Sequence, residues 1–163
     1  MNWDEILKEA EAFFFPAMLK GWVADAPEYR FLDMDNYHGI SFRDGPNGDF
    51  LLVESYTSTP GSDKFFGSIG IFYQDVPIWF MSYLGYYEEK ATSILKQALR
   101  LAYEKRNFLG GRGPRTFTLN SQRYWNNPAG SSTFRDFRGV EGAMSTRGLS
   151  QLGHLEYFGG SLI

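Results

Sequence analysis

Apolar side chains recur at three- and four-residue spacing over residues 2–15. Trp3, Ile6, Leu7, Ala10, Phe13 and Phe14 form one stripe, with Asp4, Glu5, Lys8, Glu9 and Glu11 opposite. That period predicts a helix, stopping or kinking just before Pro16, whose ring and missing N–H oppose continuation. The stretch to Gly21 is expected to add a short second turn. A second stripe, Ala91, Ile94, Leu95, Ala98, Leu99 and Ala102, predicts a helix over residues 88–103, and Gly110-Gly111 halts the chain soon after. Elsewhere the pattern alternates. Short strands are expected at 29–32 and 40–42 within the turn-rich stretch 24–49. Longer ones are expected at 50–56, 65–73 and 78–84, the last two joined through Gln74-Asp75-Val76-Pro77. Residues 116–119 and 122–126 suit a hairpin turning at Asn120-Ser121, and strands at 133–143 and 151–158 complete the chain.

Two of these strand pairs share a cassette. Phe65-Phe66-Gly67-Ser68-Ile69-Gly70 precedes a strand ending Tyr83-Leu84-Gly85, and Phe137-Arg138-Gly139-Val140-Glu141-Gly142 precedes one ending Tyr157-Phe158-Gly159. From the second glycine of the hexad to the tyrosine is 13 positions in one copy and 15 in the other. A hairpin loop two residues longer absorbs the difference. Repetition of this kind signals fold rather than chemistry. The order helix, strands, helix, strands, with neighbouring strands close enough for hairpins, predicts an α+β fold. Its sheet is mainly antiparallel, built from two similar β-hairpin units with one N-terminal and one central helix. The whole chain, 1–163, is expected to form a single domain, its repeat-like cassettes at about 50–85 and 122–160.

Composition narrows the picture. Aromatic residues make up 18% of the chain, which favours pleated, half-buried surfaces and also suits ligand pockets. There is no cysteine, so disulfides and thiolate metal sites are excluded. No apolar run nears the roughly 20 residues needed to span a bilayer, and the start of the chain is acidic where a leader would be basic. A cytoplasmic location with no membrane association is the expectation. Residues 1–99 hold 7 basic and 15 acidic side chains, whereas residues 100–163 hold 9 and 4, eight of the nine being arginines. Arginine suits phosphate or carboxylate recognition; equally, a basic half can simply face an acidic one.

Candidate chemistry centres on Gly110-Gly111-Arg112-Gly113-Pro114-Arg115. Glycines let backbone N–H groups approach an anion, and two arginines can grip its oxygens. The alternative is a helix cap and turn in which Arg112 pairs with a structural carboxylate such as Glu141. The loop lacks the Walker ending, and the F-x-G-x-x-G hexads lack the context of a dinucleotide site, so Gly67, Gly70, Gly139 and Gly142 are assigned to shape. His154 and Glu156 share a strand face, yet they and His38 mark neither a metal site nor a triad. Asp44-Gly45-Pro46-Asn47-Gly48-Asp49 is read as a surface turn, because calcium loops need alternating ligands and a closing Glu. Glu54 and Glu141 lie in aromatic strands, where a carboxylate pair could serve a hydrolase.

The matching pieces Met81-x-Tyr83-x-Gly85, Arg112-Gly113-Pro114, Phe137-x-Gly139-x-Glu141 and Tyr157-x-Gly159-Gly160, with others over residues 50–163, resemble a bacterial family of unknown function. Its domain occurs alone or behind repressor-type helix-turn-helix domains. The resemblance implies a fold and a sensor-like role, with no catalytic residues. Ile69 departs from the acidic or amide residue that the family pattern leads one to expect. Only one short helix lies before residue 24, so direct DNA binding is not expected. The leading expectation is therefore a non-enzymatic binding module for a small, anionic or nucleotide-like ligand, with no cofactor and no metal. Arg112, Arg115 and Arg138 would hold its charge, Trp79, Tyr83 and Trp125 would stack on it, and Glu54 or Glu141 would orient its polar edges. A carboxylate-dependent hydrolase and a domain that binds a protein partner are the alternatives.

Overall fold

The computed structural model describes residues 2–44, 48–130 and 132–163. The middle of the 44–49 turn, with its expected surface-turn geometry, lies outside them. Two helices, α1 (Trp3–Leu19) and α2 (Thr92–Glu104), accompany nine strands: β1 (Tyr29–Arg30), β2 (Tyr37–Arg43), β3 (Phe50–Ser58), β4 (Lys64–Tyr73), β5 (Val76–Tyr87), β6 (Thr116–Leu119), β7 (Gln122–Pro128), β8 (Asp136–Ser145) and β9 (Gln151–Ser161). All pairings are antiparallel, in the order β1-β2-β3-β4-β5-β9-β8-β7-β6. The α+β expectation holds.

The two cassettes pair identically. In β4–β5, Phe65 faces Gly85 and Gly67 faces Tyr83. In β8–β9, Phe137 faces Gly159 and Gly139 faces Tyr157. Each hairpin breaks register five residues before its tyrosine, leaving Ile78 and Leu152 as the extra, buried residues. Beyond that point the first hairpin turns on Gln74 and Asp75, both in left-handed conformation. The second spans four residues between Ser145 and Ser150, whose backbones are hydrogen-bonded. That is the expected two-residue difference. The hairpins meet at β5–β9, where Tyr83 and Tyr157 stand directly opposite.

Alternation sends Ile69, Ile71, Met81, Tyr83, Phe137 and Leu155 to one face, which the helices cover. The opposite face leaves Phe66, Leu84 and Phe158 more than half exposed. Helix α1 does not stop before Pro16 but runs on to Leu19. The carbonyl that loses its partner to Pro16 is on exposed Ala12, where water can serve it. Burial of Phe14, Phe15, Ala17 and Met18 then favours continuing the helix over ending it. Other boundaries shift as well: the strand expected at 133–143 begins at Asp136, and those expected at 40–42, 78–84 and 151–158 run longer. The expected strand over 29–32 ends at Arg30, because Leu32 turns left-handed inside a short turn. Helix α2 is preceded by a tight turn over Glu89–Ala91, so it begins at Thr92.

Candidate functional site

Beneath α2 the covered face of the sheet is polar. Tyr83 is long enough to cross β4 and reach β3, where its hydroxyl donates to Glu54 Oε1 at 3.2 Å. The crossing requires Gly67, since a Cβ there would overlap the Tyr83 hydroxyl. The second cassette repeats the device. Tyr157 passes over Gly139 and donates to Asn126 Oδ1 on β7 at 2.6 Å. Glu54 faces Ile69 across β3–β4, and Asn126 faces Glu141 across β7–β8. The halves therefore follow one plan, with the carboxylate moved one strand over in the second.

Arg112 joins them. Asn126 Nδ2 donates to the carbonyls of Gly110 and Gly113 at 2.8 and 2.9 Å, and both Gly110 and Gly111 adopt left-handed conformations. Gly111 lies against the Tyr157 ring and Gly113 against the Tyr124 hydroxyl, leaving no room for a Cβ. The loop thus delivers Arg112 into the interior. Arg112 Nη2 and Nε donate to Glu141 Oε1 at 2.6 and 3.2 Å, in a pair that is 5% and 0% exposed. Tyr87 donates to the same oxygen at 3.3 Å, and Tyr124 to Oε2 at 2.8 Å. The guanidinium carbon sits 4.9 Å from the Tyr83 ring centroid. Of the two sequence alternatives for this loop, the turn that pairs Arg112 with Glu141 is the one formed; the glycines pack on tyrosines.

Burial pushes the Glu54 carboxyl above the ordinary carboxylate range; the Arg112 charge and the Tyr83 hydrogen bond offset only part of this, and Glu28 adds to it. Burial alone would lower the Arg112 pKa, but Glu141 and then the surrounding tyrosines outweigh it, so the guanidinium stays charged. Tyr83, Tyr87 and Tyr124 are held neutral, first by burial and then by the nearby carboxylates. The Tyr103 hydroxyl, buried within reach of the same charges, is without a hydrogen-bond partner.

A cavity of about 250 Å³ opens onto this cluster. Glu54, Arg112, Tyr83 and Tyr87 line it with Trp22, Phe65 and Leu95, while Tyr56, Ser58, Ser62, Asp63, Glu89 and Thr92 complete its wall. Lys96 fixes Trp22 in place: its ammonium lies 4.7 Å from the indole centroid and also pairs with Asp25. Tyr56 donates to Glu28, which also holds His38 at 3.1 Å. Among the described residues, Glu54 Oε2 and Arg112 Nη1 take part in no hydrogen bond within the protein.

The eight residues singled out in the sequence divide. Glu54, Tyr83, Arg112 and Glu141 come together. Trp79 does not join them: it is fully buried against Phe134 and Phe137, and its indole N–H donates to the Phe134 carbonyl at 2.7 Å. Its strand phase was legible, but the helix covering that end of the sheet was not. Trp125 and Arg138 each sit one position from an inward residue, so alternation carries them to the open face; Trp125 there lies 6.2 Å from His154. Arg115 is exposed beside the loop. The three arginines consequently form no common grip. A larger depression of about 950 Å³ on the open face includes Arg138, Phe66, Leu84 and Phe158. Trp22, Phe65 and Asn126 were missed. Asn126 had a signal: it precedes the Phe of its hexad by the same eleven positions as Glu54.

The model of one family, a domain of unknown function (DUF5680), matches residues 55–162. No curated protein and no solved structure matches the chain.

Proposed function

The chain belongs to the DUF5680 family, and on that premise we propose that it is a non-enzymatic binding module whose cavity over Glu54 holds a small hydrogen-bonding ligand. One observation carries this reading: Glu54 and Arg112, two buried residues that each keep one polar atom free of protein hydrogen bonds among the described residues, line the same cavity. Groups of that kind cost stability unless something completes them. About 250 Å³ sits near the lower end of small-ligand sites, so the occupant is a single ring or a similar fragment rather than a whole nucleotide. The charges favour an uncharged occupant over an anion, because Glu141 already neutralises Arg112 and Asp63 and Glu89 stand at the wall. The hydrolase alternative has less support. Glu141 is committed to Arg112, Tyr87 and Tyr124, which removes it as a catalytic partner for Glu54. A sensor role, in this chain or beside a helix-turn-helix domain, would follow from occupancy of the same cavity.

The test is a thermal-shift screen of small uncharged, cationic and anionic compounds against the wild type and Ser58→Trp, which fills the cavity wall. A ligand at a hundred times its dissociation constant adds about 2.7 kcal/mol, and the stabilisation is expected to vanish in Ser58→Trp. No stabilisation by any compound, or one that survives Ser58→Trp, would overturn the reading.

A second reading, self-association, has its own observation. Phe66, Leu84 and Phe158 form an exposed apolar patch across β4, β5 and β9. Arg138 and Glu156 lie beside it with opposite charges, as two copies related by a two-fold axis would need. Sedimentation of the wild type and Leu84→Lys decides it: a dimer lost in the variant supports it, and a wild-type monomer removes it.

A further inference from the structure

We infer that the cavity over Glu54 recognises a planar lactam edge, a carbonyl beside an N–H as found in pyridone or pyrimidine rings; the inference rests on the binding reading above. The carboxyl half of the molecule supplies the template. Asn126 holds in β7 the place that Glu54 holds in β3, and each accepts the hydroxyl of its own half's tyrosine. Over Asn126 the space is filled by the chain itself. Asn126 Nδ2 donates to two peptide carbonyls, and Gly111 lies close against the Tyr157 ring. Among the described residues no backbone group is hydrogen-bonded to the Glu54 carboxylate, and the cavity lies there instead. One half thus shows peptide groups packed against a tyrosine, with carbonyls bonded to the polar residue of β7. The other half has the tyrosine, the polar residue and an opening.

The exposed partners define the complement. Ionised Glu54 only accepts, and Arg112 only donates. A ligand that satisfies both must donate to one and accept from the other. An ammonium group would donate to Glu54 but offer Arg112 no acceptor; a carboxylate or phosphate would accept from Arg112 but offer Glu54 no donor. A lactam edge serves both without net charge, and Trp22, Phe65 and Tyr87 offer apolar surface to its ring. Such an edge occurs on free nucleobases and on cyclic peptides, which share this chemistry.

Protein-observed NMR titration of the wild type, read at the Trp22 indole N–H, tests the assignment with α-pyridone, N-methyl-α-pyridone, benzylamine and benzoate. Tighter binding of α-pyridone than of the other three, by tenfold or more, is the expected result. The N-methyl derivative is the sharpest control, because it keeps ring and carbonyl and loses only the donor. Glu54→Gln is expected to weaken α-pyridone about tenfold; should that variant fail to fold, the wild-type comparison still decides. Cytosine and cyclic diglycine then separate the two sources: whichever binds more tightly names the class within the assignment. If benzylamine or benzoate shifts Trp22 at lower concentration than α-pyridone, the lactam assignment falls while the binding site stands. If none of the probes shifts Trp22, the lactam assignment falls; failure of the wider thermal-shift screen as well would remove the site itself.

Discussion

The two halves of the sheet share a pairing scheme, a bulge and a tyrosine that crosses a glycine, yet they end in opposite states. In the carboxyl half, Asn126 bonds two loop carbonyls and Tyr157, and Glu141 receives Arg112, Tyr87 and Tyr124. Both polar atoms of the Asn126 side chain and both oxygens of Glu141 are thereby matched. In the amino half, Ile69 stands where its counterpart is Glu141, and Glu54 stands where its counterpart is Asn126. That carboxylate has one tyrosine and a cavity. One scaffold thus yields a closed, self-satisfied site and an open one. The difference lies in which side chain meets the 110–113 loop, not in backbone architecture.

The comparison breaks most visibly at the ion pair. Arg112→Ala leaves Glu141 buried and unpaired, with an expected loss of about 3–5 kcal/mol. In urea or thermal unfolding this should appear as a fall in midpoint temperature of roughly 6–20 °C. Substitution at the crossing glycines comes next. Gly139→Ala sets a Cβ against the Tyr157 hydroxyl and also against the Asn127 carbonyl at 2.7 Å, whereas the nearest atoms to a Cβ at Gly67 all belong to the Tyr83 side chain. Both are expected to destabilise by about 1–3 kcal/mol, Gly139→Ala by the larger amount because backbone yields less readily.

A reciprocal pair sharpens the contrast further. Asn126→Asp replaces a donor to two carbonyls with a carboxylate and should cost about 1–3 kcal/mol. Glu54→Gln relieves an unmatched carboxylate and should stabilise, by about 1 kcal/mol at neutral pH. The smallest effect is the pH course of that gain. Because the native pKa of Glu54 is raised, the folded protein keeps a proton that the unfolded chain releases. Stability from this group is therefore full below the ordinary carboxylate range and falls as pH rises through it towards the native value. Glu11, raised by partial burial, acts in the same direction. The advantage of Glu54→Gln over wild type should accordingly be absent in acid and grow with pH in urea titrations.

Much of the fold was legible because phase and punctuation carried it. The spacing of Phe, Gly and Tyr fixed the two equivalent hairpins, and the 13- and 15-residue gaps fixed their loop difference. The helix through Pro16 was not legible, since it depends on tertiary burial of Phe14 and Met18. Half of the candidate site was found. Glu54, Tyr83, Arg112 and Glu141 carried polar chemistry inside apolar strands, which marks them locally. Trp22 and Phe65 are ordinary apolar positions until α2 packs over them. Arg115 and Arg138 looked equivalent to Arg112 by composition, but the loop glycines at 111 and 113 admit only Arg112 to the interior.

The central claim is that Glu54 is the open counterpart of Asn126, a buried carboxylate with only the Tyr83 hydroxyl bonded to it among the described residues. Titration of the Glu54 side-chain carboxyl carbon by NMR in the ligand-free protein tests it most directly. The account requires an apparent pKa above the ordinary carboxylate range, moving down when α-pyridone is added in excess. A Glu54 that titrates at or below the ordinary range in the free protein would contradict the account, because the carboxylate would already have its partners.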